Sequence, residues 1–269
     1  MTEQPDVRGR RLSAREVERL DPYQFMAVLG KNVIHPGGRR STDELLQWAD
    51  LRPELNVLDV GAGVGTTALE MARRFDCRVT AVDIDPQMLA RARANVDAAG
   101  LGDRVTVGHA DMQALEFADD SFDRVVIEAV TMFVDRHRAA KEVVRVCIPG
   151  GRVLDHEFIY VEPPTPDVRR IFEGEMCPGI SFSTSDDWLE LYRRAGLTDL
   201  QATTGPFVMM TPAGMWRDEG PGNLLRMMIR MTTRLAHLRK MSWMMPRILR
   251  VRSSLGYVVL VGTKPSPTS

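Results

Sequence analysis

A chain of 269 residues with 44% hydrophobic residues and no low-complexity tract suffices for one α/β domain with additions. A formal net charge of −1 argues against a general nucleic-acid binder. Cys77, Cys147 and Cys177 are widely spaced and form no CxxC pair, which argues against a disulfide framework or a zinc site, so no metal is expected.

From the N-terminus, residues 1–12 are polar and basic and read as a loose end. Ser13 with Glu16 forms a capping-box pattern for a first helix, and Asp21-Pro22 starts a second. His35-Pro36-Gly37-Gly38 breaks the pattern, and Ser41 or Thr42 is expected to cap a third helix carrying Leu45, Leu46 and Trp48. Strands are then predicted at 55–60, 78–83, 104–108, 123–128 and 151–159, with helices at 65–75, 86–99 and 135–146. Repeated βα units imply a parallel sheet covered on both faces, with ligands beyond the carboxyl ends of its strands. A proline-rich loop spans 161–184 with a helix at 167–174, a helix starts at Thr184 or Ser185, and strands fall at 198–206 and 257–262. The polar N-terminus lacks an apolar signal region, and no apolar run approaches the ~20 residues of a spanning helix, so a cytoplasmic location is expected.

The most informative stretch is Val57-Leu58-Asp59-Val60-Gly61-Ala62-Gly63-Val64-Gly65-Thr66-Thr67. A buried strand breaks into three alternating glycines and then a helix. Missing Cβ atoms let backbone N–H groups approach a ligand closely. Two cofactor classes compete for such a turn. The dinucleotide fingerprint needs a third glycine where Thr66 stands, which disfavours an NAD(P)-dependent oxidoreductase.

The later motifs decide between them. Leu58–Gly65, Val82-Asp83-Ile84-Asp85-Pro86, His109-Ala110-Asp111-Met112, the run Glu116–Asp123 and Arg145-Val146-Cys147-Ile148-Pro149-Gly150-Gly151 together resemble the class I S-adenosylmethionine-dependent methyltransferases of the small-molecule group. Glu116 replaces a usual Pro and Ile148 a usual Lys; neither is a cofactor contact in the family. The resemblance implies a Rossmann-like class I methyltransferase fold, a seven-stranded, mostly parallel sheet with helices on both faces and an antiparallel last strand. It implies residues 1–50 as an N-terminal helical lid, and 51–269 as the S-adenosylmethionine-binding domain with a helical insertion at about 211–253. It further implies that Asp83 accepts the ribose hydroxyls, that Asp111 accepts the adenine amine, and that Ile84 and Met112 sandwich the ring. The backbone around Gly61, Ala62 and Gly63 would take the methionyl end, with Asp59 near its ammonium. The different-class alternatives are the oxidoreductase above and an S-adenosylmethionine-binding protein without transferase activity.

Because the sulfonium is already electrophilic, alignment of the acceptor is the main requirement. A base is needed only for some O or N acceptors. Three candidate groups follow: His35 in the His-Pro-Gly-Gly turn, Glu128 at the end of the fourth strand, which is also a candidate cofactor contact, and Glu157 near the end of the fifth. Asp155 and Glu157 share one strand face and His156 takes the other. The acceptor is expected to be a small molecule and not nucleic acid; its reacting atom (O, N, C or S) is open. Residues 224–252 contain eight basic residues, no acid and many methionines. Three readings stand: a lid over a hydrophobic acceptor, a basic amphipathic contact with an anionic membrane, or an ordinary cap with apolar face inward and arginines in water.

Overall fold

Ser13 and Glu16 satisfy each other's backbone N–H groups and start α1, Ala14–Arg19. Asp21 and Gln24 form a second capping box for α2, Pro22–Leu29, which closes on Gly30 at φ 92°. Helix α3 spans Arg39–Ala49. There follow β1 Asn56–Val60, α4 Thr66–Phe75, β2 Arg78–Asp83, α5 Pro86–Ala99, β3 Val105–His109, β4 Phe122–Glu128, α6 Arg136–Val146 and β5 Cys147–Tyr160. Then come α7 Pro166–Arg169, which continues as a π-helical segment Arg170–Met176, α8 Ser185–Arg194, β6 Thr198–Pro206, α9 Pro212–Thr232, α10 Leu235–Val251 and β7 Leu255–Thr263. The computed structural model describes residues 12–178, 180 and 182–266; the expected loose end at 1–12 therefore lies outside the described residues apart from Leu12.

The chain divides into two compact units. One holds Arg40–Ile159, Ser183–Thr204 and the chain from Val258; the other holds the chain up to Arg39, Tyr160–Phe182 and Gly205–Tyr257.

The strands form one seven-stranded sheet of order β3-β2-β1-β4-β5-β7-β6, mostly parallel with antiparallel last strands. The parallel pairs β1–β2, β1–β4, β2–β3 and β4–β5 bury continuous apolar runs, among them Val57, Leu58, Val125, Val126 and Val153. Strand order reverses about β1, where β2 lies on one side and β4 on the other. The carboxyl ends of these three strands carry Asp59, Asp83 and Glu128. The register pairs Glu128 with His156 and Ile127 with Asp155, so β5 delivers its acidic stretch beside the end of β4.

Two local expectations are corrected. Helix α3 begins at Arg39, ahead of the expected Ser41 or Thr42 cap, and both of those side chains are buried inside it. Its first N–H groups are met from elsewhere: the Asp218 carboxylate accepts the Arg39 N–H at 3.1 Å. Strand β5 begins at Cys147, not 151. Cys147 pairs with Phe122 and Arg152 with Arg124, so the intervening Pro149-Gly150-Gly151 forms a bulge within the strand, with Gly150 at φ 77°.

The second unit is helical. Phe25, Met26, Leu29, Met227, Met244 and Ile248 are buried in it, and Phe25 meets His237 edge-on at 5.9 Å. Helix α9 breaks at Gly220 (φ 67°, ψ 167°), followed by Pro221. Just before the break, Glu219 is buried and accepts from Lys31 Nζ at 3.3 Å, the Val33 N–H at 3.2 Å and Asn223 Nδ2 at 2.6 Å. Both its oxygens also take the Asn32 N–H, at 3.0 and 3.1 Å. Burial would raise this carboxyl, but the Lys31 charge and these donors hold it below its ordinary value. The segment 31–39 is thus tied to α9 by adjacent acids.

The Arg/Met-rich stretch matches the cap reading only in part: Met227, Met244 and Ile248 are buried, and Arg226, Arg239 and Arg250 are exposed. Arg230, Arg234 and Lys240 turn inward and donate to the carbonyls of Leu29, Leu12 and Glu18. Leu225, Met228, Ile229, Leu235 and Leu238 point outward and are exposed. Long basic side chains here cap buried carbonyls while their stems pack. No described helix is long and apolar enough to cross a membrane.

Candidate active site

Strand β1 ends at Asp59-Val60, and the chain then turns through Gly61, Gly63 and Gly65 at φ 72°, 55° and 79°. Such values strain residues bearing Cβ. At Gly61 a close approach adds to the reason: a Cβ would stand 2.8 Å from Val130 Cγ1. At Gly63 a Cβ would meet nothing within 4 Å, so the loop backbone borders open space. The loop is held from below, because the Gly61 and Ala62 N–H groups donate to the Val82 carbonyl at 2.8 and 2.9 Å. From α5, Asn95 Nδ2 donates to the Val64 carbonyl at 2.9 Å.

Asp83 closes β2 and faces this loop. Its Oδ2 accepts the Gly63 N–H at 2.8 Å and its Oδ1 the Asp85 N–H at 2.8 Å. Each carboxylate oxygen has a further lone pair, so the fixed group can still accept two hydroxyls. Ile84 is 61% exposed, unusual for a large apolar side chain beside an acid. Asp85 caps α5 through the Gln87 N–H, with Pro86 at the first helical position.

Asp59 is buried, and its Oδ2 lacks a hydrogen-bond partner. Burial, then the negative charges of Glu128 and Asp83, push its carboxyl up to about 8, while the Ala68 N–H acts against that shift.

Asp111 follows β3, where its Oδ1 accepts the Gln113 N–H at 2.9 Å and Asp111 bridges to Ala114. Met112 beside it is buried. Glu128 Oε1 accepts from Thr42 Oγ1 at 2.8 Å and Oε2 from Thr67 Oγ1 at 2.6 Å; His156 Nδ1 lies 3.7 Å from Oε1. Glu128 therefore anchors the first turn of α4, just past the glycine loop.

Glu157 was expected against the acceptor. Its side chain is fully buried, and Oε1 accepts the Val130 and Thr131 N–H groups at 3.0 and 2.6 Å. Asp155 on the same strand face accepts from Thr131 Oγ1 at 2.9 Å and Tyr192 Oη at 2.6 Å. Burial raises both carboxyls of this coupled pair. Together they brace the turn after β4, where Ala129 sits at φ 57° and Val130 leans on Gly61. His35 belongs to the helical unit, in the loop between α2 and α3. The carbonyl of the following residue, Pro36, accepts the Val208 and Met209 N–H groups at 2.9 and 3.2 Å.

Sequence reasoning overlooked Thr42, Thr67, Thr131 and Tyr192. Hydroxyls in ordinary helices and turns give no local signal; only their carboxylate partners reveal them.

The carboxyl ends of β1 and β2 thus bring together a glycine loop bordered by open space at Gly63, the buried Asp59, the Asp83 carboxylate and the exposed Ile84. Residues 58–154 match the methyltransferase-domain family. An uncharacterised Haemophilus influenzae protein is 31% identical over 201 residues, covering 74% of this chain and 80% of that one. The 27-O-demethylrifamycin SV methyltransferase of Amycolatopsis mediterranei is 33% identical over 163 residues, 59% of each chain. Phosphoethanolamine N-methyltransferase 2 of Haemonchus contortus, solved with S-adenosyl-L-methionine, superposes with a TM-score of 0.69 at 21% identity over 95% of this chain and 61% of that one. The chain thus spans about three-fifths of each of these two named proteins. This chain belongs to the class I S-adenosylmethionine-dependent methyltransferases and uses S-adenosylmethionine.

Proposed function

We propose that the protein methylates a small, largely apolar metabolite by in-line displacement. The observation that carries the donor half is the orphaned, buried Asp59 oxygen beneath a glycine loop that borders open space. In this reading Asp59 takes the donor's ammonium and is driven to its ionised form by that cation. Asp83, pre-aimed by the Gly63 and Asp85 N–H groups, accepts both ribose hydroxyls. Asp111 receives the adenine amine, with Ile84 and Met112 on the ring faces. The backbone of Gly61, Ala62 and Gly63 meets the methionyl end. Glu128, by gripping Thr67 and Thr42, fixes the start of α4 against that end. S-adenosylmethionine supplies an electrophilic methyl group, so the chain's task is to exclude water and align the acceptor.

For an acceptor carrying an O–H or N–H, His35 is the proposed proton acceptor. Glu157 acts through the Val130–Thr131 turn rather than by touching the acceptor. An apolar acceptor is supported by the rifamycin named for one relative and by the methionines of α9 and α10, whose side chains adapt to varied apolar shapes. The test is product mass spectrometry across quinone, isoprenoid, polyketide and small polar acceptors. Turnover confined to polar amines or acids would overturn the acceptor half. Failure to bind S-adenosylhomocysteine would overturn the donor half.

A further inference from the structure

Near the turn of the α9–α10 hairpin, Arg230, Arg234 and Lys240 reach inward while several large apolar side chains are exposed, although Met227, Met244 and Ile248 stay buried. On α9, Leu225, Met228, Ile229 and Thr232 recur at i, i+3, i+4 and i+7 and form one exposed face. Leu225 is 59%, Met228 58% and Ile229 49% exposed. On α10, Leu235 and Leu238 at i and i+3 continue it, at 63% and 40%. The two helices are joined only by Thr233 and Arg234, so these side chains gather at one end of the hairpin. A cluster of five exposed large apolar residues is not incidental on a surface that has to face water alone.

Nor can the hairpin roll to hide it. Arg230 donates to the Leu29 carbonyl at 3.2 Å, Arg234 to Leu12 at 2.8 Å and Lys240 to Glu18 at 3.0 Å. Rolling would strand these buried carbonyls and cations together. The charge beside the face is of one sign. Between Gly220 and Ser254 there are eight Lys and Arg residues and no acid, and Arg226 and Arg239 are exposed next to the apolar positions.

We propose that this end of the hairpin docks on the surface of an anionic phospholipid bilayer. The apolar side chains would enter the acyl boundary while Arg226 and Arg239 meet the headgroup phosphates. A second copy of the chain complements the face poorly, because a two-fold contact brings the same acid-free surface against itself and leaves the arginines facing their like. The contact is peripheral, since no described helix can span. It does not depend on which acceptor is methylated.

The test is flotation of the full chain with phosphatidylcholine vesicles, with and without phosphatidylglycerol, at low and high salt. Binding is expected only to the anionic vesicles. Arg226→Gln with Arg239→Gln should weaken it by at least tenfold, at roughly fivefold per basic residue. Leu225→Ser with Ile229→Ser and Leu238→Ser should abolish it, while circular dichroism and S-adenosylhomocysteine affinity stay unchanged. Absence of flotation at low salt overturns the proposal. So does flotation that the triple serine variant retains. A concentration-dependent dimer by light scattering that this variant dissociates assigns the face to a second copy and also overturns it.

Discussion

Val130 lies so close over Gly61 that a Cβ on the glycine would stand 2.8 Å from Val130 Cγ1. The contact joins the glycine loop after β1 to the turn after β4, and it makes the glycine obligatory for two reasons, the positive φ and the neighbour. Gly61→Ala is expected to weaken S-adenosylhomocysteine binding by roughly five- to thirtyfold, as strain of ~1–2 kcal/mol in the left-handed region implies. Adding Val130→Ala should recover part of that loss. Calorimetry on the two variants checks it, and no recovery would mean that strain alone is responsible.

The turn bearing Val130 is itself held by Glu157, which accepts the Val130 and Thr131 N–H groups. Burial pushes this carboxyl up, so a neutral amide should substitute well. Glu157→Gln is expected within ~1 kcal/mol of the parent in urea unfolding, whereas Glu157→Ala, which strands two buried donors, should cost about 3 kcal/mol. Equal costs would argue against the bracing role.

Asp59 should make stability depend on pH. Its carboxyl is pushed up to about 8 in the folded, ligand-free chain, against ~3.9 unfolded. The folded state therefore holds a proton that the unfolded state releases. This contribution is complete below the unfolded value and is lost as pH rises through the folded one. Asp59→Asn should flatten the fall in Tm between pH ~4 and pH ~8 while weakening S-adenosylhomocysteine binding. An unchanged pH slope would contradict the assigned shift.

Removing the ribose acceptor gives the sharpest test of the donor site. Asp83→Ala deletes both proposed hydroxyl contacts and the Gly63 N–H acceptor. Two charge-assisted hydrogen bonds at about 1.5–3 kcal/mol each predict at least a hundredfold loss of S-adenosylhomocysteine affinity. Undiminished affinity would remove Asp83 from the site.

In the helical unit, Glu219→Ala leaves Lys31 buried beside Asp218 alone, at 3.9 Å. Breaking a buried pair from one side typically costs about 3–5 kcal/mol. Thermal unfolding should show that loss, and Lys31→Met combined with Glu219→Ala should restore part of it.

The sheet and the glycine turn were legible in the sequence because their signals are local. Apolar runs ended by Asp59, Asp83 and Glu128 mark strands and their carboxyl ends, and glycines at fixed spacing mark the turn. The start of α3 was misread because its first N–H is met by Asp218, 179 residues away. The orientation of the basic stretch was hidden for the same reason. Arg230, Arg234 and Lys240 find carbonyls on segments roughly 200 or more positions earlier, and helical periodicity alone cannot tell a carbonyl from water. Glu157 was correctly placed on its strand face, but which layer that face met was not encoded nearby.

The adjacent acids Asp218 and Glu219, gripping Lys31, Asn32, Val33 and Arg39, have a practical consequence for engineering. Residues 31–39 and the helix break at Gly220 are a lock and its key, remote in the gene but inseparable in the fold. A chimera that imports a foreign 211–254 segment to change acceptor preference would leave Lys31 buried without a counter-charge unless the segment before α3 travels with it. The unit of exchange in this scaffold is the pair of segments, not the insertion alone.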